Sequence, residues 1–213
     1  MNKKEPKKRI SNFFVISAPS GAGKTSLVKA LIDQTNDCVA AISHTTRPKR
    51  SEEIDGRDYH FVSEEEFGDL KAKGGFLESA KVFDYSYGTS LDEAQKIIKS
   101  GMVLILEIDW QGALQVKEKY ESAKSIFILP PSLETLRSRL KMRAQDSDET
   151  VEKRMQKAIS ESSKWTSFDY LVENDVFQIA LDAIKEIIWG EGQQYLKVAQ
   201  ANQLSTLLDR LKS

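Results

Sequence analysis

Residues 18 to 25 read Ala18-Pro19-Ser20-Gly21-Ala22-Gly23-Lys24-Thr25, directly after the apolar run Phe13-Phe14-Val15-Ile16. Strand, glycine-rich turn and Lys-Thr pair together make a phosphate-cradling loop. Glycines let backbone N–H groups turn inward around phosphate oxygens, the lysine adds a mobile positive charge at the outer phosphates, and the Thr25 hydroxyl can hold Mg²⁺. A helix beginning near Lys24 points its positive dipole end at the same anion. Ala18 stands where the strict pattern has glycine. A plain glycine-rich turn is the alternative, and Gly23-Lys24-Thr25 in a strand–loop–helix setting argues against it.

Bulk properties narrow the remaining classes. At 213 residues the chain makes one large domain with room for a sizeable core. Its 31 basic and 32 acidic residues give a net charge of −1, which argues against a general nucleic-acid binder. Lys3, Lys4, Lys7, Lys8 and Arg9 make residues 1–11 a basic tail, read as flexible and solvated rather than as a nucleic-acid or membrane contact. No signal-peptide core follows that tail and no run is long enough to span a membrane. The single cysteine, Cys38, allows no intrachain disulfide and suits a reducing cytoplasm; it reads as a small hydrophobe. Two histidines and one cysteine, widely separated, do not make a zinc site.

Strand and helix signals alternate along the chain. Residues 13–17 read as a buried strand and 24–34 as a helix with Leu27, Leu31 and Ile32 on one side. Short strands are expected over 39–43, 59–62, 76–82 and 85–88, with a polar, arginine-rich loop over 45–57. Ser63 with Glu66, and Ser90 with Glu93, have the spacing of capping boxes; Gly74-Gly75 and Gly101 should end the helices they open. Apolar runs at 102–108 and 125–129 read as buried strands, the second halted by Pro130-Pro131. A helix is expected from Ser132, interrupted by Gln145-Asp146-Ser147-Asp148. A second follows with Val151, Met155, Ala158 and Ile159 on one face. A last strand at 170–172 precedes helix from Phe177 to the end, where Leu204, Leu207, Leu208 and Leu211 form a stripe best explained by core packing.

Continuous apolar strands separated by helices imply an α/β fold with a parallel sheet covered on both faces. Ligands in such sheets bind at the carboxyl ends of strands, where the phosphate loop and the acids after Leu106 both fall. Residues 44–90 break the alternation and read as an insertion of short antiparallel strands plus a helix.

A second constellation lies near that insertion. Ser43-His44-Thr45-Thr46-Arg47-Pro48-Lys49-Arg50 puts hydroxyls and two guanidiniums within eight residues, and arginine forks suit a phosphate. Tyr59, Glu78, Tyr87 and Thr89 follow. Singly, each reads as packing or a solvated surface group; beside a phosphate loop, the mixture suggests a second anionic ligand with a polar head.

The ordered segments Ala18 to Thr25, Ser43-x-Thr45-Thr46-Arg47-x-x-Arg50, Gly56-x-Asp58-Tyr59-x-Phe61-Val62, Phe76-Leu77-Glu78, Tyr87-Gly88-Thr89, Ile108-Asp109-Trp110-Gln111-Gly112 and Ile128 to Ser132 resemble the guanylate kinase family, from about Asn12 to Asp175 and weakly beyond. The resemblance implies a P-loop NTPase-type parallel sheet flanked by helices, with an inserted mixed subdomain for the nucleoside monophosphate and a helical lid. On that pattern the domain runs over 12–213, with core 12–43, 91–139 and 160–213, GMP-binding insertion 44–90 and lid 140–159. It implies transfer of the γ-phosphoryl group from Mg²⁺-bound ATP to GMP, giving ADP and GDP. Ala18, Pro19, Ser20, Gly21, Ala22, Gly23, Lys24 and Thr25 would bind ATP, with Mg²⁺ on Thr25 and, through water, Asp109. Arg47, Arg50, Tyr59 and Tyr87 would grip the GMP phosphate, while Ser43, Glu78 and Thr89 face guanine and Glu107 lies near GMP and the metal. Lys24, Arg139, Arg143 and Arg154 would carry catalysis, and Asn174 matches a position near the adenine or the lid; Arg137 reads as solvated. The chemistry agrees: guanine shows N1–H and 2-amino donors side by side, which one carboxylate accepts, whereas adenine does not.

The chain departs from the family pattern at several positions. Glu107 stands for the usual aspartate, Pro48 comes one residue early, Glu52 replaces a glycine and Asp84-Tyr85-Ser86 replaces a Gly-Asn-Tyr run. Met142 and Ala144 replace lid glycines, which would stiffen the hinges. Two other readings exist: a kinase of another phosphate acceptor such as a ribose bisphosphate, and a catalytically silent phosphopeptide-binding module. Glu78 with Ser43 argues against the first, and the intact Gly23-Lys24-Thr25 against the second. The expected partners are ATP and GMP, with no nucleic acid and no membrane, in a monomer or homodimer.

Overall fold

The computed structural model describes residues 9–82, 84–143 and 148–211. Its centre is β1 (Phe13–Ser17), buried at every position. β1 lies between β7 (Val103–Glu107) and β8 (Lys124–Leu129) in a five-stranded sheet of order β2-β7-β1-β8-β9, with β2 at Cys38–Ala40 and β9 at Tyr170–Glu173. All four pairings are parallel. Both faces are covered, which is why the strands read as unbroken apolar runs. Phe14 and Ile16 pack with Leu27 and Leu31 of α1 (Lys24–Asp33) and with Leu181 and Ile184 of α7 (Phe177–Ile188). Phe13 and Val15 face the other way, toward Ala113 and Val116 of α4 (Trp110–Lys119) and toward Leu208 and Leu211. The C-terminal leucine stripe is core, as expected.

Successive strands leave β1 on opposite sides, so a crevice opens at its carboxyl end. The loop from Ala18 to Gly23 fills that crevice. Above it stands a second sheet of order β4-β3-β6-β5, formed by β3 (His44–Thr45), β4 (His60–Phe61), β5 (Phe76–Val82) and β6 (Tyr85–Ser90). The sheet is mixed: β5–β6 and β3–β6 are antiparallel, but β3 and β4 run parallel, with His44 opposite His60. The long arginine-rich loop makes this possible, since it carries the chain back before β4 begins. α2 (Glu64–Ala72) has the full capping box of Ser63 and Glu66. At α3 (Leu91–Lys99) only half of the expected box forms: Ser90 accepts the Glu93 N–H, while the Glu93 carboxylate accepts the Ile42 N–H at 3.0 Å.

Two other expectations change. α4 falls on a stretch with no sequence-based assignment; Asp109 caps it by accepting the Gly112 N–H. The C-terminal helix is not continuous. α7 stops before Gly190, whose φ is +82°, and the chain continues as a short 3₁₀ turn (Gln193–Tyr195), α8 (Lys197–Gln203) and α9 (Ser205–Arg210). α5 (Leu133–Arg143) and α6 (Asp148–Ser162) form a pair with a small core of their own: Leu136, Leu140, Val151, Met155 and Ala158. Of the expected polar interruption at 145–148, residues 145–147 lie outside the described residues, as does Ala144, and Asp148 already begins α6. Among the described residues, no helix is long and apolar enough to cross a membrane.

Candidate active site

The phosphate loop turns on Gly23, the N-cap of α1, whose φ of +94° belongs to the left-handed region. A side chain there would also collide with the Asn174 amide. That amide donates to Ala22 O at 2.7 Å, so Asn174, expected near adenine or lid, braces the loop from beneath. Arg139 does the same: its guanidinium donates to Ala22 O at 3.3 Å and to Asn174 O at 3.0 Å. The Ala22 N–H is turned back onto Pro19 O, and the Ser20 N–H donates to the carboxylate of Glu161 on α6.

Lys24 and Thr25 meet Glu107 at the end of β7. The Thr25 hydroxyl donates to Glu107 Oε1, and Lys24 Nζ donates to Ile108 O at 2.9 Å while standing 4.0 Å from Glu107 Oε1. Glu107, the longer acid of the departure noted above, thus reaches the phosphate loop itself. Its charge also helps raise the Tyr59 phenol, which burial first of all pushes up to about 12. Glu107 therefore faces both halves of the cleft. Asp109 is committed as the α4 cap and also accepts from Gln111 Nε2. Among the described residues, no three His, Cys, Asp or Glu side chains converge to hold an ion by themselves.

On the upper sheet, Glu78 is buried between β5, β6 and α4. One carboxylate oxygen accepts both the Thr89 N–H at 3.0 Å and the Thr89 hydroxyl at 2.8 Å, and Ser43 Oγ lies 3.4 Å from that hydroxyl. The other oxygen sits over Gly112, where any Cβ would overlap it. Burial, reinforced by the Asp109 charge, pushes the Glu78 carboxyl up to about 7 against the pull of the Thr89 bonds. Ser43, Glu78 and Thr89 thus form one polar cluster.

Arg47 is held on three sides. Glu53 takes two of its N–H groups at 2.7 and 3.0 Å, Pro48 O takes a third at 2.8 Å, and the rings of Tyr59 and Phe61 lie 5.4 and 5.7 Å from the guanidinium carbon. The Nε–H and one Nη2–H, its side-on fork, stay out of these three bonds, and the Tyr87 side chain also hydrogen-bonds the guanidinium. Tyr87 lies edge-on to Tyr59 at 6.1 Å. Arg50 is exposed and is tied to the group through its backbone N–H, which Glu53 accepts at 2.8 Å. Glu53 and Glu161 were not singled out by sequence. Glu53 lies three residues after Arg50 and six after Arg47, a spacing that carries the signal, whereas Glu161 bonds Ser20 from far along the chain. Arg154 is half-buried on α6, and the side chain of Arg143 lies outside the described residues. Arg137 pairs with Glu152 at 2.7 Å on the exposed side of the α5–α6 pair, in keeping with a solvated role.

The decisive feature is convergence. Lys24, Thr25, Ser43, Glu78, Tyr87 and Glu107 line a single cleft between the two sheets. The sequence model of the guanylate kinase family matches residues 10–191. The chain belongs to the guanylate kinase family. It is 48% identical over 200 residues to a guanylate kinase of Nitrosococcus oceani, covering 94% of this chain and 98% of that one. A guanylate kinase of Pseudomonas fluorescens is 55% identical over 174 residues, 82% of this chain and 84% of its own. The crystal structure of guanylate kinase from Anaplasma phagocytophilum superposes with a TM-score of 0.72 at 30% identity, covering 94% of this chain and 97% of the other. The activity that goes with this family is that of an ATP:GMP phosphotransferase, and it is the activity of this chain.

Proposed function

We propose that phosphoryl transfer runs through the residues named above, with ATP on the loop from Ala18 to Thr25 and GMP under the second sheet. The observation that carries this reading is the single cleft shared by Lys24 and Glu78. The division into core (12–43, 91–139, 160–213), GMP-binding insertion (44–90) and lid (140–159) belongs to the same proposal. Ser43, Glu78 and Thr89 read the base: ionised Glu78 accepts guanine N1–H and the 2-amino group through the oxygen that Thr89 leaves free. The side-on fork of Arg47, with Arg50 and the Tyr59 and Tyr87 hydroxyls, holds the GMP phosphate. Tyr59 stays protonated near neutral pH and donates.

Lys24 moves from Ile108 O to the β- and γ-phosphates. A GMP phosphate oxygen then attacks the γ-phosphorus in line as the bond to the ADP oxygen breaks. The nucleophile is already an anion, so no protein base is required. Charge on the transferring oxygens is met by Lys24 and by Arg139, Arg143 and Arg154 as the lid closes, with Arg139 exchanging its carbonyl partners for phosphate; such arginines contribute on the order of 10³–10⁵ in rate. Mg²⁺ suits the Thr25 hydroxyl with Glu107 beside it and Asp109 through water, because this ion keeps several waters and needs few protein ligands. When bound with ATP, it neutralises charge between the outer phosphates. Each chain carries a whole site, whether it works as a monomer or a homodimer, and free nucleotides as substrates go with work in the cytoplasm.

A coupled ADP-release assay with ATP and GMP, dGMP, AMP, UMP or ribose bisphosphate tests the reading. Turnover with GMP far above AMP, UMP and the sugar phosphate supports it; a preference for any of those three contradicts the assignment of Ser43, Glu78 and Thr89.

A further inference from the structure

α6 carries three polar side chains along one stripe. Arg154, Lys157 and Glu161 are spaced i, i+3 and i+7, and at 3.6 residues per turn a helix returns almost to the same azimuth after seven. The adjoining stripe of Val151, Met155, Ala158 and Ser162 is buried. Glu152, Lys153, Gln156 and Ser160 face out. The polar stripe therefore lies along the edge of the buried face. Its last member is fixed: Glu161 accepts the Ser20 N–H at 3.1 Å and lines the same cleft as Lys24, with Lys157 Nζ 3.8 Å away.

A carboxylate is an expensive acceptor here. Burial pushes its pKa up, although the Ser20 N–H and the Lys157 charge oppose that shift. An acid at the rim of an anion-binding loop also repels the phosphates for which the loop is shaped. A serine or threonine hydroxyl would satisfy one backbone N–H without either penalty. What a charged acceptor adds is a strong, directional bond between α6 and the phosphate loop. The core contacts of α6, at Val151, Met155 and Ala158, are apolar and non-directional, and its Glu152–Arg137 pair lies on the exposed side and ties the helix to α5. The Ser20 bond is what ties α6 to the phosphate loop.

We propose that Glu161 is a positioning residue for phosphoryl transfer: its bond to Ser20 sets the rotation of α6 and so aims Arg154, two turns away on the same stripe, at the transferring group. The proposal rests on the reading of Arg154 as a lid arginine. Rotation of a helix is amplified at the tip of a long side chain, and a misplacement of about 1 Å costs on the order of 10²-fold in rate.

The test is steady-state kinetics, with melting temperatures alongside, on Glu161→Ala, Glu161→Gln, Glu161→Asp, Arg154→Ala and the Glu161→Ala/Arg154→Ala double variant. Glu161→Ala should lose roughly 10- to 100-fold in kcat with KM for GMP unchanged. Glu161→Gln, whose amide oxygen still accepts the Ser20 N–H through a weaker, uncharged bond, should recover part of that loss. Glu161→Asp, charged but one methylene short, should not. In the Arg154→Ala background, Glu161→Ala should cost less than about twofold, because the two act as a unit. Full additivity, rescue by Asp instead of Gln, or wild-type kcat in Glu161→Ala each overturns the proposal. If Arg154→Ala alone keeps wild-type kcat, the lid reading fails and the proposal with it. If Arg154→Ala is slow and Glu161→Ala is not, only the proposal fails. Should Glu161→Ala not fold, the Gln and Asp variants make the same discrimination.

Discussion

Glu78 performs a task that opposes its own ionisation. In the role proposed for it, it must be charged to accept two guanine donors, yet burial, reinforced by Asp109, pushes its carboxyl up to about 7. GMP affinity is therefore expected to rise with pH until about 7 and then level. The signal is the difference between wild type and Glu78→Gln by calorimetry, since the second ionisation of GMP itself near about pH 6 affects both. The same shift has the opposite sign for stability. Between the ordinary carboxyl value of 4.5 and about 7 the folded chain holds a proton that the unfolded chain has lost, so this group's contribution falls as pH rises through that window. Glu78→Gln should also cut the preference for GMP over IMP by roughly 10- to 100-fold, in line with the loss of a charge-assisted hydrogen bond; an unchanged ratio would remove Glu78 from the base site. Gly112→Ala probes the same oxygen from the other side. Its Cβ would displace the carboxylate, so kcat/KM for GMP should drop by about tenfold or more while KM for ATP holds.

At the scale of elements, legibility followed periodicity. β1, β7, α1 and α2 were readable because burial of the central strands leaves apolar runs, because Leu27 and Leu31 share one side of α1, and because Ser63 and Glu66 announce a helix start. Ser63→Ala should cost about 1 kcal/mol in urea unfolding, with kcat unaltered. α4 was not readable. It begins Trp110-Gln111-Gly112-Ala113, and its inward face is only Gly112, Ala113 and Val116, too small to register as an apolar stripe. Gly112 leaves room for Glu78, whose carboxylate a Cβ there would overlap, and Ala113 and Val116 pack on the parallel sheet. α4 also docks the second sheet: Gln115 accepts the Ser79 N–H at 3.2 Å and donates to Ser79 O at 2.9 Å, standing in for a strand partner beside the β5 irregularity. Glu93 illustrates the converse. Its local spacing spelled a capping box, but the Ile42 N–H across the fold claimed its carboxylate. Residues whose partners are distant in sequence, such as Glu161 and Asn174, carry no local pattern that tells a brace from a solvated side chain.

For the whole molecule, the two sheets divide the work. On the proposed reading the loop that ends the parallel sheet takes the triphosphate and the mixed sheet takes the purine and its phosphate, with Glu107 between them touching Thr25 and facing Tyr59. The motif order along the chain disclosed both halves; the closing geometry needed the fold. Lys24→Ala should lower kcat by at least about 10³-fold, the scale of a lost transition-state cation, while GMP binding stays near wild type. A ligand joining adenosine and guanosine through a chain of five phosphates tests most directly whether donor and acceptor meet head to head in one cleft. Calorimetry should find one such molecule per chain, bound at least about 10²-fold more tightly than GMP alone because the second contact becomes intramolecular, and weakened by Lys24→Ala and by Glu78→Gln alike. Two molecules per chain, or an affinity no better than that of ATP or GMP separately, would contradict it.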